Sequence, residues 1–370
     1  YGMVRTRLPY RGSVMWRARG GMGDTAIAPM YQTAVQRGVR FEFFRAVTHL
    51  GVDDTDLVVD RIDVLRQAEV VGDRPYEPLV DVAGLPCWLD RPQWEQLVDG
   101  DALSTAGIRF ELGEGVPGAV TQTLRRGEDF DHVVLAISAA ALPPICSEVM
   151  QASPAFDQML RHTTTIMTQA FQVWLDETPA DLGFPYGDTA TSTFIEPLDT
   201  GCDNSQVLWS ETWADGDAPA SVWYFCGDLL DVEGDTQEQA DARAAAGARQ
   251  YLDGIGAQWP GAIGPDGFRW EVLHAPAGVE GEARFDHQYH RGNFAPTERY
   301  VQTLPGTVKY RLAADQSGLH NLTLAGDWTL NSFDIGAVEA TVMSGMQASR
   351  AISGSPTHIA WDRHRWLSAD

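Results

Sequence analysis

The sequence predicts an α/β protein in which a doubly covered parallel sheet is interrupted by an inserted α+β unit carrying a mixed sheet. Three observations carry the prediction. Residues 131–138, Asp-His-Val-Val-Leu-Ala-Ile-Ser, are almost continuously apolar, the pattern of a parallel strand buried on both faces. Leu322-Thr323-Leu324-Ala325 is a second apolar strand, broken at Gly326-Asp327-Trp328 and followed, after a loop, by a helix from about Gly336 to Ile352. Between them, from about 150 to 300, lie several strand patterns, one Ala-rich helix and most of the aromatic residues.

Along the chain, Gly20-Gly21-Met22-Gly23 makes a glycine turn. A helix should follow, with Ile27, Met30, Tyr31, Ala34 and Val35 on one face. Asp24 or Thr25 is expected to cap it, Gly38 to end it, and Pro29 requires that it start late. Val39 to Phe44 is expected to be a strand continuing toward Val47, and Leu57–Leu65 and Ala68–Val71 antiparallel strands. Leu79 to Gly100, rich in Pro, Trp and Asp, is expected to be irregular, with a short helix near Trp94 to Val98. Leu103–Leu112 and Gly115–Arg126 fit either strand or helix.

Pro143 and Pro144 close the strand at 131–138. Thr164–Leu175, Thr191–Ile195, Gln206–Glu211 and Ser221–Cys226 are expected to form one sheet, and Gln237–Leu252 the Ala-rich helix. Trp174, Trp209, Trp213, Trp223, Tyr224 and Phe225 give that sheet a bulky apolar wall, best explained as core.

Length and composition set limits. At 370 residues the chain can hold two domains or one interrupted by another. A hydrophobic content of 44% with 21% charged residues is that of a globular protein. The formal charge of −24, with Lys309 the only lysine, argues against nucleic acid or anionic membrane as a partner. Cys87, Cys146, Cys202 and Cys226 are too scattered for a metal or redox motif. With no membrane-length apolar run and no signal-peptide pattern, a cytoplasmic location is expected. Asp286, His287 and His290 lack a supporting ligand spacing, so no metal site is expected, and His162 and His320 have no assigned role.

Two motifs point to chemistry. Gly21-Met22-Gly23-Asp24-Thr25-Ala26 satisfies G-x-G-x-x-A, with Glu42 at a suitable distance, and so admits an NAD-dependent dehydrogenase. Its context objects: residues 13–19 are too charged for a buried first strand, and Asp24 would stand beside the phosphates. The second motif is the C-terminal helix, whose positions 336, 337, 340, 341, 344, 345 and 348 are all small. Such a stripe lets a flat group approach the backbone, while the free N–H groups of the first turn attract negative charge or carbonyl oxygens. Asp327, just ahead, suits a ribose or polyol hydroxyl.

Strand, Gly-Asp, loop, then Gly-x-x-Glu-x-x-x-x-Ser-Gly resembles the C-terminal flavin-binding signature of the flavin amine oxidoreductase superfamily, which includes monoamine oxidases, phytoene desaturases and hydroxysqualene dehydroxylases. The resemblance implies a Rossmann-like FAD-binding domain, discontinuous and incomplete, with an inserted substrate domain. It places Gly326, Asp327 and Trp328 near the ribityl and pyrophosphate, and Gly336, Ala337 and Val338 at the flavin ring. It also makes Gly20–Gly23 a second, mid-sequence glycine turn, with Gly21 at the cofactor and the backbone of Val47 at the adenine. The implied divisions are 1–150, part of the FAD-binding domain; 151–300, the substrate domain; 301–354, the C-terminal FAD segment; and 355–370, a tail.

The reaction implied is hydride transfer between a hydrophobic small molecule and FAD. The lysine of amine-oxidising members has no counterpart in Thr164–Leu175, which favours a desaturase-like or dehydroxylase-like member and leaves the catalytic residues unassigned. Lys309 is expected on a solvated strand, Thr307–Arg311. The family's first βαβ unit has no counterpart here. The expected alternatives are a non-catalytic remnant or one subunit of a split flavoenzyme, completed by a separate N-terminal nucleotide-binding chain.

Overall fold

The glycine turn leads into a helix but, among the described residues, not into a βαβ unit. In a computed structural model of the chain, the described residues are 16–362 except 73, 114–115, 117, 185, 187–189, 193–195 and 215. Residues 16–19 ahead of the turn are not a strand. A π-turn at Gly23–Ile27 opens helix α1 (Ala28–Gln36), with Pro29 tolerated in its first turn and Gly38 ending it at φ 87°.

Neither Asp24 nor Thr25 caps this helix. Asp24 instead accepts the Trp88 amide at 2.8 Å, and Thr25 bonds back to the Gly21 carbonyl. Ile27, Met30 and Val35, predicted to face a core, are exposed, Met30 at 58%. Only Tyr31 of that stripe meets an aromatic cluster, with Phe41, Phe43 and Trp88.

The expected strand at Val39–Phe44 begins later, at Arg45, after Phe44 takes φ 56°. Strands β1 (Arg45–Asp53) and β2 (Val58–Arg66) form the expected antiparallel pair. Ala68–Val71 contributes only an isolated bridge, Val70 to Leu97. The Pro-rich stretch holds a hairpin, β3 (Leu79–Val82) and β4 (Leu85–Trp88), and a 3-10 turn at Trp94–Gln96. Helix α2 (Gly100–Thr105) precedes β5 (Val120–Arg125), which joins β2 and completes a three-stranded antiparallel sheet. Among the described residues β1 has only an antiparallel neighbour, so the G-x-G-x-x-A pattern opens no nucleotide-binding βαβ unit there, and the NAD reading gains no support from the geometry.

The apolar segment at 131–138 shortens to β6 (Val133–Leu135), followed by α3 (Leu142–Ile145), α4 (Ser147–Ala152) and α5 (Pro154–His162). Strand β7 spans Thr164–Leu175, with the bounds read from sequence. Next come β8 (Ala190–Ser192), β9 (Thr200–Asp203) and β10 (Ser221–Leu229); residues 193–195 of the expected strand lie outside the described residues. Gln206–Glu211 is not a strand but lies mostly in a 3-10 segment, Ser205–Ser210, with Trp209 half-exposed.

Helix α6 (Gln237–Gly254) carries a capping box, Thr236 with Gln239, and buries Ala240, Ala244 and Ala248 at four-residue spacing. The hairpin β11 (Ile263–Gly264) and β12 (Gly267–Phe268) precedes β13 (Tyr289–Gly292) and β14 (Tyr300–Gln302). Lys309 lies in a 3-10 turn, Val308–Tyr310, rather than a strand. β15 (Leu322–Leu324) and α7 (Val338–Ser353) complete the elements.

The central sheet runs β13-β7-β10-β9-β8, with β14 also on β7, and every pairing is antiparallel. The expected mixed sheet is therefore corrected. One face packs on α6 through Phe171, Val173, Trp223, Phe225 and Tyr251. A second core joins Leu135, Leu142, Phe156, Met159, Leu324 and Trp328. There β6 and β15 form the only parallel pair among the described strands, Val133 to Leu135 against Leu322 to Leu324. Val134 is 47% exposed, so this strand is not covered on both faces.

Candidate cofactor site

The turn after β15 is held from three directions. Gly326 adopts φ 150°, a value open to glycine, and a Cβ there would fall 2.3 Å from Trp328 Nε1. The Trp328 indole is 1% exposed and donates to the Ile137 carbonyl at 3.1 Å, pinning the turn to the segment after β6. From the other side Ser344 of α7 accepts the Gly326 amide at 2.8 Å and bonds Thr329 Oγ1 at 2.8 Å.

Asp327 is thereby held inward. Burial pushes its carboxyl above the ordinary carboxylate range; Arg311 and the amides of Asp327 and Trp328 pull the other way. Arg311 is itself buried and donates to the backbone carbonyls of Asp327 and Thr329 and to Thr303 Oγ1. Burial lowers its pKa, opposed by Asp334 and Asp327. Asn331 continues the wrap, donating to the Asp327 carbonyl at 3.2 Å and accepting the amides of Phe333 and Asp334.

Helix α7 starts at Val338, two residues later than expected. Ala337 is its extended N-cap residue and supplies no side-chain cap, while Val338 is 63% exposed. The small stripe divides. Ala340, Ser344 and Ala348 are buried; Thr341 and Gly345 are exposed. Close packing thus accounts for one half of the stripe, and the other half is open.

Gly336 lies directly before this helix. A Cβ there would stand 3.0 Å from the Val301 carbonyl and 3.6 Å from Asp327 Oδ2. The structure therefore brings Gly326, Asp327, Trp328, Gly336, Ala337 and Val338 together, with the Trp328 side chain spent on packing. Val47 on β1 packs against the same cluster that contains Leu324 and Trp328.

Gly21 lies elsewhere. It lines a cavity of about 690 Å³ with Trp88, Gln172, Cys202 and Glu211. Val301, beside Gly336, pairs with Thr165, and Gln172 lies seven residues farther along β7, roughly 23 Å of strand.

An inward carboxylate, glycine at the point of closest approach and an uncapped helix start form a set that can hold hydroxyl and acceptor oxygen groups together. That donor set fits the ribityl and ring edge of a flavin nucleotide. The sequence carries no signal for the roles of Arg311, Asn331 and Ser344: Ser344 reads only as a small residue, and nothing in Val308-Lys309-Tyr310-Arg311 marks the arginine as buried.

Elsewhere, His162 stacks on Tyr310 at 3.7 Å, and Asp286 pairs with Arg249 at 3.1 Å. The four cysteines are free thiols. No helix among the described residues is long and apolar enough to cross a membrane.

A protein-family profile described as flavin containing amine oxidoreductase matches residues 108–353, well over half the chain, ending with the last residue of α7. No curated protein matches the sequence. Among solved structures, an oxidoreductase from Methanosarcina mazei is similar at 13% identity and a TM-score of 0.36, over 62% of this chain and 45% of that one. The chain thus spans under half the length of that protein, and a likeness at this level carries no argument.

Proposed function

The chain belongs to the flavin containing amine oxidoreductase family, and from that premise we propose that it serves as an FAD-dependent oxidoreductase acting on a hydrophobic small molecule. Family membership implies the flavin and the redox class; the substrate and direction are our reading. The observation that carries the cofactor assignment is the inward Asp327 carboxyl beside Gly336 and the uncapped start of α7.

When bound, the flavin supplies a two-electron acceptor. The residues of this chain bind and orient it. Asp327 would accept from its hydroxyls, Gly336 and Ala337 would leave room for close approach, and the first-turn N–H groups of α7 would be available to acceptor atoms of the ring. Arg311 and Ser344 hold these groups in place from below. The resemblance puts the backbone of Val47 at the adenine; its side chain packs in the core with Leu324 and Trp328.

The test is purification in the presence of FAD, followed by gel filtration, visible absorbance and thermal melting. Retained flavin and a raised Tm are expected. A folded chain that neither retains flavin nor shifts its melting with FAD overturns the assignment of a complete flavin site to this chain alone.

A second reading has its own observation. Among the described residues β6 pairs with β15 alone, so the outer edge of β6 can accept a further strand. This favours a separate nucleotide-binding segment that completes the sheet. If so, the isolated chain retains flavin only when that segment is added.

A further inference from the structure

The cavity between the glycine turn and the central sheet is unused by the cofactor site. Its floor is the sheet face turned away from α6. Gln172 of β7 stands opposite Tyr224, and Tyr224 opposite Cys202 of β9. Trp88 and Met22 line it from the side of β4 and the glycine turn. At about 690 Å³ it is large enough for a drug-sized molecule.

Its charged groups are engaged within the protein, except one. Asp203 accepts from Ser205 N and Oγ, Asp24 accepts the Trp88 amide, and Arg17 donates to the Asp203 carbonyl and to Gln206. The thiols of Cys87 and Cys202 are pushed up by burial and stay neutral. Glu211 is the exception. Among the described residues its carboxyl has a single hydrogen-bond partner, the Trp174 indole N–H at 3.3 Å, and it makes no ion pair. Burial raises its pKa, with the Trp174 bond opposing. With one neutral donor and no ion-pair partner among the described residues, this half-buried carboxyl is shifted toward the acid form, which can donate a hydrogen bond.

We propose that this cavity is a binding chamber for an uncharged ligand, an apolar ring or chain bearing a hydroxyl or carbonyl that Glu211 and Gln172 hydrogen-bond. Beside the Glu211 carboxyl it offers the Gln172 amide and aromatic faces, while the Cys202 thiol and the Gln206 amide are already bonded to Asn204 and to Ala18 and Arg17. A cationic ligand would need Glu211 ionised, and both ions would lose their hydration. That this ligand is the enzyme's substrate rests on the flavoenzyme reading; that the chamber binds it does not.

The test is isothermal titration of the full chain with three probes sharing one ring: 2-naphthol, 2-naphthylmethylamine and 2-naphthoate. 2-Naphthol is expected to bind at least about tenfold more tightly than either ion. Glu211→Ala is expected to weaken it about tenfold, while Glu211→Gln, which keeps a donor without a charge, stays within about threefold. The comparison of probes on the unaltered chain needs no variant to fold. Tighter binding of the amine, equal losses in both Glu211 variants, an unaffected Glu211→Ala, or no 2-naphthol binding by folded protein would each overturn the proposal. Flavin retention is recorded on the same samples. Lost flavin with intact 2-naphthol binding fails the oxidoreductase reading alone, and the reverse fails the chamber alone.

Discussion

Arg311 reaches the backbone carbonyl of Asp327 rather than its carboxylate. The guanidinium thus fixes the turn through the peptide and still lends its charge to the carboxyl, which remains available to a ligand. Removing the side chain takes the guanidinium donor from the Thr329 carbonyl and one of two donors from the Asp327 carbonyl, which keeps Asn331. Arg311→Met is expected to cost about 3 kcal/mol in urea unfolding, since bonds to charged groups contribute about 1.5–3 kcal/mol each. Arg311→Lys should recover only part of this, because an ammonium cannot span the carbonyls and Thr303 as a planar fork does. Equal stability of all three proteins would show that the arginine does not hold the turn.

Gly336 separates binding from folding. A side chain there meets the Val301 carbonyl and Asp327 Oδ2 at the edge of the proposed flavin cleft. Gly336→Val is expected to lower flavin retention at least tenfold while leaving the far-UV spectrum unchanged. Asp327→Ala should do the same by removing the acceptor. Measured FAD affinities equal to those of the unaltered chain would place the cofactor elsewhere.

A pH dependence follows from Glu148. Its carboxylate accepts from the Val52 amide at 2.8 Å, from His49 at 2.9 Å and from Arg61 at 2.7 Å, tying α4 to β1 and β2. The Val52 amide leads in lowering its pKa, with His49 and Arg61 adding, against the effect of burial. A carboxyl depressed in the folded state binds fewer protons than in the unfolded chain. Its stabilisation is therefore fully present above the unfolded value near 4.5 and is lost as pH falls through the folded one. Glu148→Gln should cost about 1–2 kcal/mol at pH 7, and the gap should close in unfolding curves taken at progressively lower pH. A gap that stays constant with pH would mean the carboxylate's charge contributes nothing.

Sequence periodicity located these elements where local and tertiary preferences agree. Strand β7 and helix α6 are cases: one alternates between a core face and a half-buried face, and the other carries its own capping box and Ala spacing. It failed where a local pattern had no partner surface. Ile27, Met30 and Val35 recur at helical spacing, yet they stay exposed because α1 packs mainly through Tyr31. Gln206–Glu211 is apolar enough for a strand, but Asp203 accepts from Ser205 N and Oγ where the chain turns into a 3-10 segment instead. At the site, the glycines and Asp327 were visible because their backbone demands are written in residue type. Arg311, Asn331 and Ser344 were not, since their roles depend on carbonyls and amides that meet only after folding.

The last prediction concerns how the turn is locked. A Cβ at Gly326 would fall 2.3 Å from Trp328 Nε1, and the φ of 150° is one that L side chains rarely adopt. Gly326→Ala must therefore displace the indole or the backbone, and either breaks the bond to the Ile137 carbonyl. The expected loss is about 2–4 kcal/mol, combining backbone strain with disrupted packing. Trp328→Phe removes the N–H but keeps most of the ring, so it should cost less, about 1–2 kcal/mol, chiefly for the unsatisfied carbonyl. Since both changes act on one contact, the double variant should be less destabilised than the sum of the singles. Strict additivity in chemical denaturation would show that Gly326 and Trp328 act independently, and that the glycine serves the backbone turn alone.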